Sequence, residues 1–192
     1  MAVHIALHEI GAPFEAKPIS FAKKQTQTAE FLAINPAGKV PTLIVDGTPL
    51  TEVAACLLYL AKRFPEAGLL PADLMAEAQA VSWMSFIAST LHPARRLGLE
   101  PVTEVWSVAE RKLGDRDWAL GTYSIADIHL FRLYWRMVNG SRPLPEGAAP
   151  PRCAVRTDDG APRRPAHPRD RKPHRLRIAG VRGNPKPAVA FL

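Results

Sequence analysis

A strand–turn–strand–helix pattern constrains the fold more than any other feature of this sequence. It lies in residues 40–64, VPTLIVDGTPLTEVAACLLYLAKRF. The apolar run ends at Asp46 and Gly47, a pair typical of the two-residue turn between antiparallel strands. Thr51 stands where a side-chain hydroxyl can cap the apolar helix that follows. The pattern predicts a small α/β unit.

The flanking sequence predicts further elements on both sides of this hairpin. Apolar positions in residues 2–10 repeat as in a helix and stop at Gly11. A short strand is predicted over residues 14–21, and a short helix with a Pro/Gly turn over 31–39. The stretch 65–74 contains two prolines and a glycine, which is typical of an interdomain linker. Beyond it, three apolar helices are predicted, over residues 76–91, 104–120 and 123–137.

Composition excludes several classes of protein. Hydrophobic residues make up 47% of the chain, but no apolar run approaches the ~20 residues of a membrane span. The first residues do not resemble a signal peptide, because His4, His8 and Glu9 interrupt their apolar positions. Cys56 and Cys153 are too few for a disulfide framework. We therefore expect a cytoplasmic protein with no membrane partner.

The charge of the chain changes abruptly near residue 140. Residues 1–141 carry 13 Lys and Arg against 14 Asp and Glu, whereas residues 142–192 carry 12 against 4. Ten of the 19 prolines also fall in that last segment. A polybasic arm on nucleic acid is one interpretation, but no aromatic residue of the segment precedes Phe191 to stack on bases. We expect no nucleic-acid partner, and a disordered tail over residues 141–192.

Three stretches together resemble the glutathione S-transferase family, in its bacterial form. They are NPAGKVPTLIVDGTPLTE, the linker-like FPEAGLLP and the helix start YSIADI, and they occur in the family's order. The resemblance covers roughly residues 1–138. It implies a thioredoxin-like α/β domain over residues 1–64, a linker over 65–72 and an all-helical domain over 73–140, followed by the tail 141–192.

The resemblance implies a glutathione site at the start of the hairpin. Val40 and Pro41, joined by a cis peptide bond in the family, would pair their backbone with the cysteinyl part of glutathione, as an added strand does. Lys39 would approach the glycyl carboxylate. Glutathione is therefore implied as a co-substrate, with no permanently bound cofactor.

Three residues after the hairpin are implied to hold the γ-glutamyl end of glutathione. The Glu52 carboxylate could accept hydrogen bonds from its α-ammonium group. The Val53 N–H and the Thr51 hydroxyl, at a helix N-terminus, suit the γ-glutamyl carboxylate. Many relatives have Ser or Asn at the position of Val53, so we expect a weaker affinity. The alternative for Glu52 is a simple favourable interaction with the helix dipole.

The sequence does not offer the residue that activates the glutathione thiol in the family. There, a first strand leads to a loop whose Tyr, Ser or Cys stabilises the thiolate. Here Met1 is followed at once by the first helix, and no Ser, Tyr or Cys occurs before Ser20. The resemblance implies a chain that lacks this first strand and exposes a sheet edge. The catalytic residue stays unassigned, although His92 matches a position where bacterial relatives place a His near the thiol.

The function implied by the resemblance is detoxification by conjugation. A bound glutathione thiolate would attack a hydrophobic electrophile held between the two domains of a homodimeric enzyme. The alternative, from another class, is an inactive glutathione-binding or folding-deficient remnant, because the thiol-activating residue is missing.

The tail also has an interpretation at the level of the gene. Codons compatible with residues 149–171 can be read one nucleotide later as PHLAAQYARMMARPAVQRTLEIE, which resembles the family's closing helical segment. Asp158 and Asp159, each followed by a codon that begins with G, give only Met or Thr in that frame. We hypothesise a change of reading frame near residues 140–143, which the nucleotide sequence tests directly.

Other conspicuous residues are expected to be structural. His4 and His8 lie one helical turn apart, but no third ligand is evident, so no metal site is predicted. Cys56 is expected to be a small core residue. Ser124 and Asp127 form the Ser-x-x-acid pattern of a helix start. The tryptophans are expected to pack the core of the helical domain: Trp83, Trp106, Trp118 and Trp135.

Overall fold

The computed structural model describes residues 1–138 and 188–191. Contacts divide them into two units, residues 3–60 with 188–191 and residues 61–138. In this part of the chain, no helix is both long enough and apolar enough to cross a membrane. The domain limits implied by the family resemblance stay a prediction.

The first unit is a small sheet with helices packed around it. Its elements are α1 (Ala2–Ile10), β1 (Phe14–Lys17), α2 (Ala29–Ile34), β2 (Thr42–Val45), β3 (Thr48–Thr51), α3 (Val53–Arg63) and β4 (Ala188–Phe191). As predicted, α1 ends at Gly11, which adopts the left-handed conformation at φ 72° and donates its N–H to the carbonyls of Leu7 and His8. The predicted hairpin is also confirmed, with positive φ at both Asp46 and Gly47.

The strands follow the order β1–β4–β2–β3 across the sheet. Strand β4 runs parallel to β1 and antiparallel to β2, with Val189 opposite both Glu15 and Ile44. Strands β2 and β3 are antiparallel, with Thr42 opposite Thr51. The thioredoxin-like α/β architecture with a helical unit after it is therefore as predicted.

The prediction that the missing strand leaves an exposed sheet edge is wrong, because β4 lies between β1 and β2 and pairs with both. For the same reason the expected disorder of the tail is wrong for residues 188–191. The rest of the predicted tail, residues 141–187 and 192, lies outside the described residues, as does the proposed frame change at 140–143.

The second unit consists of helices. Its elements are α4 (Leu74–Phe86), a π-helical turn (Ile87–Leu91), α5 (His92–Ala94), α6 (Leu99–Leu113) and α7 (Ile125–Val138). The first predicted helix of this unit is thus shorter than expected, because the chain widens at Ile87 and the N–H of His92 bonds to the Ile87 carbonyl. Helix α6 begins before its predicted start at residue 104 and ends at Leu113, before its predicted end at residue 120, with Gly114 as its cap.

Tryptophan side chains contribute to the core of the helical unit, but not all four. Trp83 and Trp106 are buried, and the Trp106 indole N–H donates to the Met137 sulfur at 2.8 Å. Trp118 is half-buried and meets the Tyr123 ring edge-on. Trp135 is 45% exposed, so its predicted core position is wrong.

The start of α7 confirms the structural role predicted for Ser124 and Asp127. The Ser124 N–H and hydroxyl donate to one carboxylate oxygen of Asp127, at 2.9 and 2.8 Å. The Ala119 N–H donates to the other oxygen at 2.8 Å. Asp127 is 3% exposed, and burial raises the pKa of its carboxyl to about 6. These bonds fix the helix start and the loop before it.

Candidate functional site

One end of the β2–β3 hairpin gathers the residues that the resemblance implied. Thr42 lies opposite Thr51, so the residues before β2 and those after β3 meet at the same end. Paired strands lie ~4.8 Å apart, which brings the two groups within reach of one small ligand. The groups are Lys39, Val40 and Pro41 on one side and Thr51, Glu52 and Val53 on the other.

A buried amide shapes the loop before β2. The Asn35 side chain donates to the Lys39 carbonyl at 2.7 Å and to the Thr42 hydroxyl at 3.1 Å. Its oxygen accepts the Ala37 N–H at 3.1 Å, and Asn35 is 3% exposed. The Thr42 hydroxyl donates to the same Lys39 carbonyl at 3.3 Å. These bonds hold the loop that carries Lys39 and Val40.

The same loop requires glycine at residue 38. Gly38 adopts φ 59°, and a Cβ there would lie 2.5 Å from the Gln27 amide nitrogen and 3.0 Å from the Thr26 carbonyl. The exposed Lys39 follows, and then the peptide bond between Val40 and Pro41, which is cis as the resemblance implied.

Glu52 adopts an unusual backbone conformation at the start of α3. Its φ is 66°, in the left-handed region that non-glycine residues seldom occupy. Its carbonyl accepts the first helical bond, from the Cys56 N–H at 3.0 Å, so Glu52 is the cap residue of α3. Thr51 instead ends β3, and the predicted cap at Thr51 is wrong by one residue, because the chain turns at Glu52.

This turn leaves an anion-binding helix terminus beside an exposed carboxylate. The first N–H groups of α3, from Val53 onward, have no acceptor within the helix, and they suit a carboxylate ligand. The Glu52 side chain is exposed and can bind a cation. Left-handed strain at a non-glycine residue is more frequent at functional sites than elsewhere. The end of the hairpin can therefore hold a ligand that carries both charges.

Cys56, one turn into α3, is not a nucleophile. It is fully buried, and its sulfur lies 3.4 Å from the Leu50 carbonyl oxygen, to which it donates. Burial raises the pKa of its thiol to about 12, which leaves it protonated at neutral pH. The predicted core role of Cys56 is confirmed.

His92 belongs to the helical unit, directly after the π-helical turn. It is half-buried, and burial together with the positive charges of Arg132, Arg136, Arg95 and Arg96 lowers its pKa to about 4. Its imidazole is therefore neutral at physiological pH and can donate one hydrogen bond and accept another.

The histidine pair on α1 has a simple local structure. The Nε2 atoms of His4 and His8 lie 3.2 Å apart, so one ring donates to the other. Both rings meet Phe14 edge-on. Across residues 1–138 and 188–191, no group of three or more possible metal ligands occurs.

Comparison with known proteins gives consistent results. The family model "Glutathione S-transferase, N-terminal domain" matches residues 1–63. Glutathione S-transferase GstA of Escherichia coli O157:H7 is 33% identical over 148 residues, a match that covers 68% of this chain and 74% of the relative. Glutathione S-transferase 1 of Dianthus caryophyllus is 36% identical over 112 residues, which cover 58% of this chain and 48% of that relative.

A solved structure agrees with this result. A sphingomonad glutathione S-transferase in complex with glutathione is 34% identical and superposes with a TM-score of 0.69, covering 80% of this chain and 85% of the other. The sequence and the fold therefore lead to the same conclusion: this chain belongs to the glutathione S-transferase family.

Proposed function

We propose that this protein binds glutathione at the end of the β2–β3 hairpin and conjugates its thiolate to a hydrophobic electrophile. The observation that carries the proposal is the left-handed Glu52, which combines an exposed carboxylate with the N-terminus of α3. A γ-glutamyl group carries an ammonium and a carboxylate on one carbon atom. It therefore matches the two charges at this point of the fold.

Each group at the hairpin end has a proposed role. Glu52 accepts hydrogen bonds from the α-ammonium, and the N–H of Val53 donates to the α-carboxylate. The backbone of Val40 pairs with the cysteinyl part of glutathione, and Lys39 attracts its glycyl carboxylate. The Thr51 side chain, half-buried at the end of β3, borders the γ-glutamyl end.

The reaction is a nucleophilic attack by sulfur. The thiolate forms a bond to an electrophilic carbon, the bond to a leaving group breaks, and the leaving group departs with the electron pair. The thiol must lose its proton to form the thiolate, so the rate rises with pH towards the ordinary thiol pKa of about 8.5. We propose that His92, as a neutral imidazole, borders the electrophile.

Two measurements test the proposal together. Calorimetry gives the dissociation constant for glutathione, and a nitro-activated aryl chloride reports conjugation by absorbance. Binding with turnover supports the proposal. Binding without turnover favours the inactive glutathione-binding protein, and a folded chain that binds no glutathione contradicts the proposal. His92→Ala should lower the conjugation rate and leave the dissociation constant for glutathione unchanged, while Ser89→Ala, on an exposed site of the π-helical turn, should change neither.

A homodimer is the proposed assembly. Leu74 and Met75, adjacent at the start of α4, are 81% and 67% exposed. Large apolar side chains exposed together are frequent at protein interfaces. Light scattering should give twice the chain mass of 21.0 kDa, and the double change of Leu74 and Met75 to Glu should give the single mass.

A further inference from the structure

The helical unit contains a group of basic side chains, three of which have no role in the proposed function. His129, Arg132 and Arg136 follow one another on α7 at the spacing of one helix face. His92 lies close enough to interact with them electrostatically. Burial lowers the pKa of His92, and the charges of Arg132 and Arg136 lower it further. Burial likewise lowers the pKa of His129, and a positive charge on His92 lowers it further. We call these four residues the cationic cluster, in which the two arginines carry the charge and the two histidines are neutral at pH 7.

Two members of the cationic cluster are buried without a described partner. Arg132 is 9% exposed and His129 is 2% exposed. Within residues 1–138 and 188–191, Arg132 forms no ion pair, and the Nδ1 atom of His129 has no hydrogen-bond partner. A guanidinium group is seldom buried to this extent unless an anion accompanies it, because desolvation of the charge costs several kcal/mol.

Within the part of the chain that the structure describes, the charged groups that act on Arg132 do not supply that anion. Every charged group that shifts the pKa of His92, His129 or Arg132 is itself a cation, and Arg95 and Arg96 add to the cluster from the end of α5. The C-terminal dipole of α7 favours a cation at Arg136, in the last turn, but not at Arg132 in the middle of the helix. Among the described residues, the charges that act on these three groups are therefore all positive.

We propose that the cationic cluster is a binding site for a small oxyanion of the phosphate or carboxylate type. Arg132 provides the planar pair of N–H donors that matches two oxygens of such an anion. Arg136 adds charge one turn further along α7, and the ring nitrogens of His129 and His92 add donors. The π-helical turn before His92 positions that ring, as such turns often do at ligand sites.

The experiment uses the full chain without glutathione and inorganic phosphate as the first anion. Calorimetry at pH 7 should give a saturable dissociation constant, with chloride at equal ionic strength as the reference. Arg132→Gln should weaken phosphate binding at least tenfold, whereas Arg111→Gln, at an exposed position of α6, should leave it unchanged. Repeating the titration with succinate distinguishes a carboxylate from a phosphate ligand.

A second measurement covers the case in which Arg132→Gln does not fold. In the unaltered chain, NMR titration of the histidine rings should show that bound phosphate raises the pKa of His129, because an anion favours its charged form. A melting temperature that rises with phosphate without saturating reflects the general effect of this salt on burial. Such a rise, with no saturable heat for either anion and no change at His129, overturns the proposal.

Discussion

The side-chain amide of Asn35 donates a 2.7 Å hydrogen bond to the carbonyl oxygen of Lys39. This bond joins the end of α2 to the loop before β2, so a change at Asn35 can alter the position of Val40. Asn35→Asp keeps the shape and the acceptor for the Ala37 N–H but removes both donors. The Lys39 carbonyl then keeps only the 3.3 Å bond from the Thr42 hydroxyl, and the loss of its shorter, partly buried bond costs about 1–3 kcal/mol.

We therefore expect Asn35→Asp to lower the free energy of unfolding and to weaken glutathione binding about tenfold, the equivalent of roughly 1.4 kcal/mol. Chemical denaturation and calorimetry measure the two effects. Ser107→Ala, which removes an exposed hydroxyl bonded to its own helix, is the control for both. Unchanged glutathione affinity in a destabilised Asn35→Asp would show that the amide supports the fold but not the ligand loop.

Substitutions of Glu52 should affect the stability of the fold and the affinity for glutathione in different ways. Glycine occupies the left-handed region without the strain of a side chain, so Glu52→Gly should raise the free energy of unfolding by about 1 kcal/mol. The same change removes the carboxylate proposed to bind the α-ammonium, so the affinity for glutathione should fall at least tenfold. Glu52→Gln keeps the strain and loses the charge, and it should weaken binding without any gain in stability.

A glutathione analogue without the α-amino group sharpens the test of Glu52. The unaltered protein should bind this analogue more weakly than glutathione, and Glu52→Gln should bind the two about equally. If Glu52→Gln still prefers glutathione as strongly as the unaltered protein does, Glu52 is only the cap residue of α3.

The sequence predicted those features that depend on local patterns. The Asp46–Gly47 turn, the stop at Gly11 and the cap formed by Ser124 and Asp127 each arise from a few adjacent residues. The position of the α3 cap was one residue wrong because a side-chain propensity favoured Thr51, whereas the left-handed turn that the hairpin requires falls on Glu52.

Features that depend on distant contacts were not predictable. Asn35 reads as an ordinary loop residue, and its burial becomes evident only when β2 folds back beside it. His129 and Arg132 lie within a strongly apolar helix pattern, which does not indicate that two basic side chains are buried there. Strand β4 pairs with β1 from the opposite end of the chain, and nothing in either segment alone specifies the partner.

The pKa of Asp127 makes a prediction about stability and pH. Burial raises this pKa from 3.8 to about 6, so the folded carboxyl holds its proton more tightly than the unfolded one. Between about pH 4 and 6 the unfolded chain therefore binds fewer protons at Asp127 than the folded chain does. The contribution of Asp127 to the free energy of unfolding falls as the pH rises through this range, by about 3 kcal/mol in all.

Asp127→Asn cannot titrate, so this fall should be absent from it. Its stability should be lower overall, because an amide NH2 group replaces one of the two carboxyl oxygens that accept bonds from Ser124 and Ala119, but the difference from the unaltered protein should shrink between pH 4 and 6. Denaturation curves of both proteins between pH 4 and 6 measure this difference in the free energy of unfolding. The buried histidines change stability in both proteins, and their effect cancels in the difference. A difference that stays constant would mean that Asp127 is ionised throughout.

The last prediction concerns the pairing of β4 with the two strands on either side of it. Val189 lies opposite Glu15 in β1 and Ile44 in β2, so it occupies the interior of the sheet. Proline has no N–H to donate to a strand ladder and is excluded from interior strands. Val189→Pro should therefore destabilise the first unit by about 3 kcal/mol, whereas Val189→Thr, which keeps the N–H and the β-branched shape, should have a small effect.

Hydrogen exchange locates the effect of Val189→Pro. Protection should fall at the amides of β1 and β2, which lose their common neighbour, and should be retained at α6 and α7, which belong to the other unit. Because β2 leads from the loop of Val40, glutathione binding should weaken together with this protection. If β1 and β2 keep their protection in Val189→Pro, the sheet does not depend on β4. The sheet edge that the sequence predicted to be exposed is then unpaired in solution.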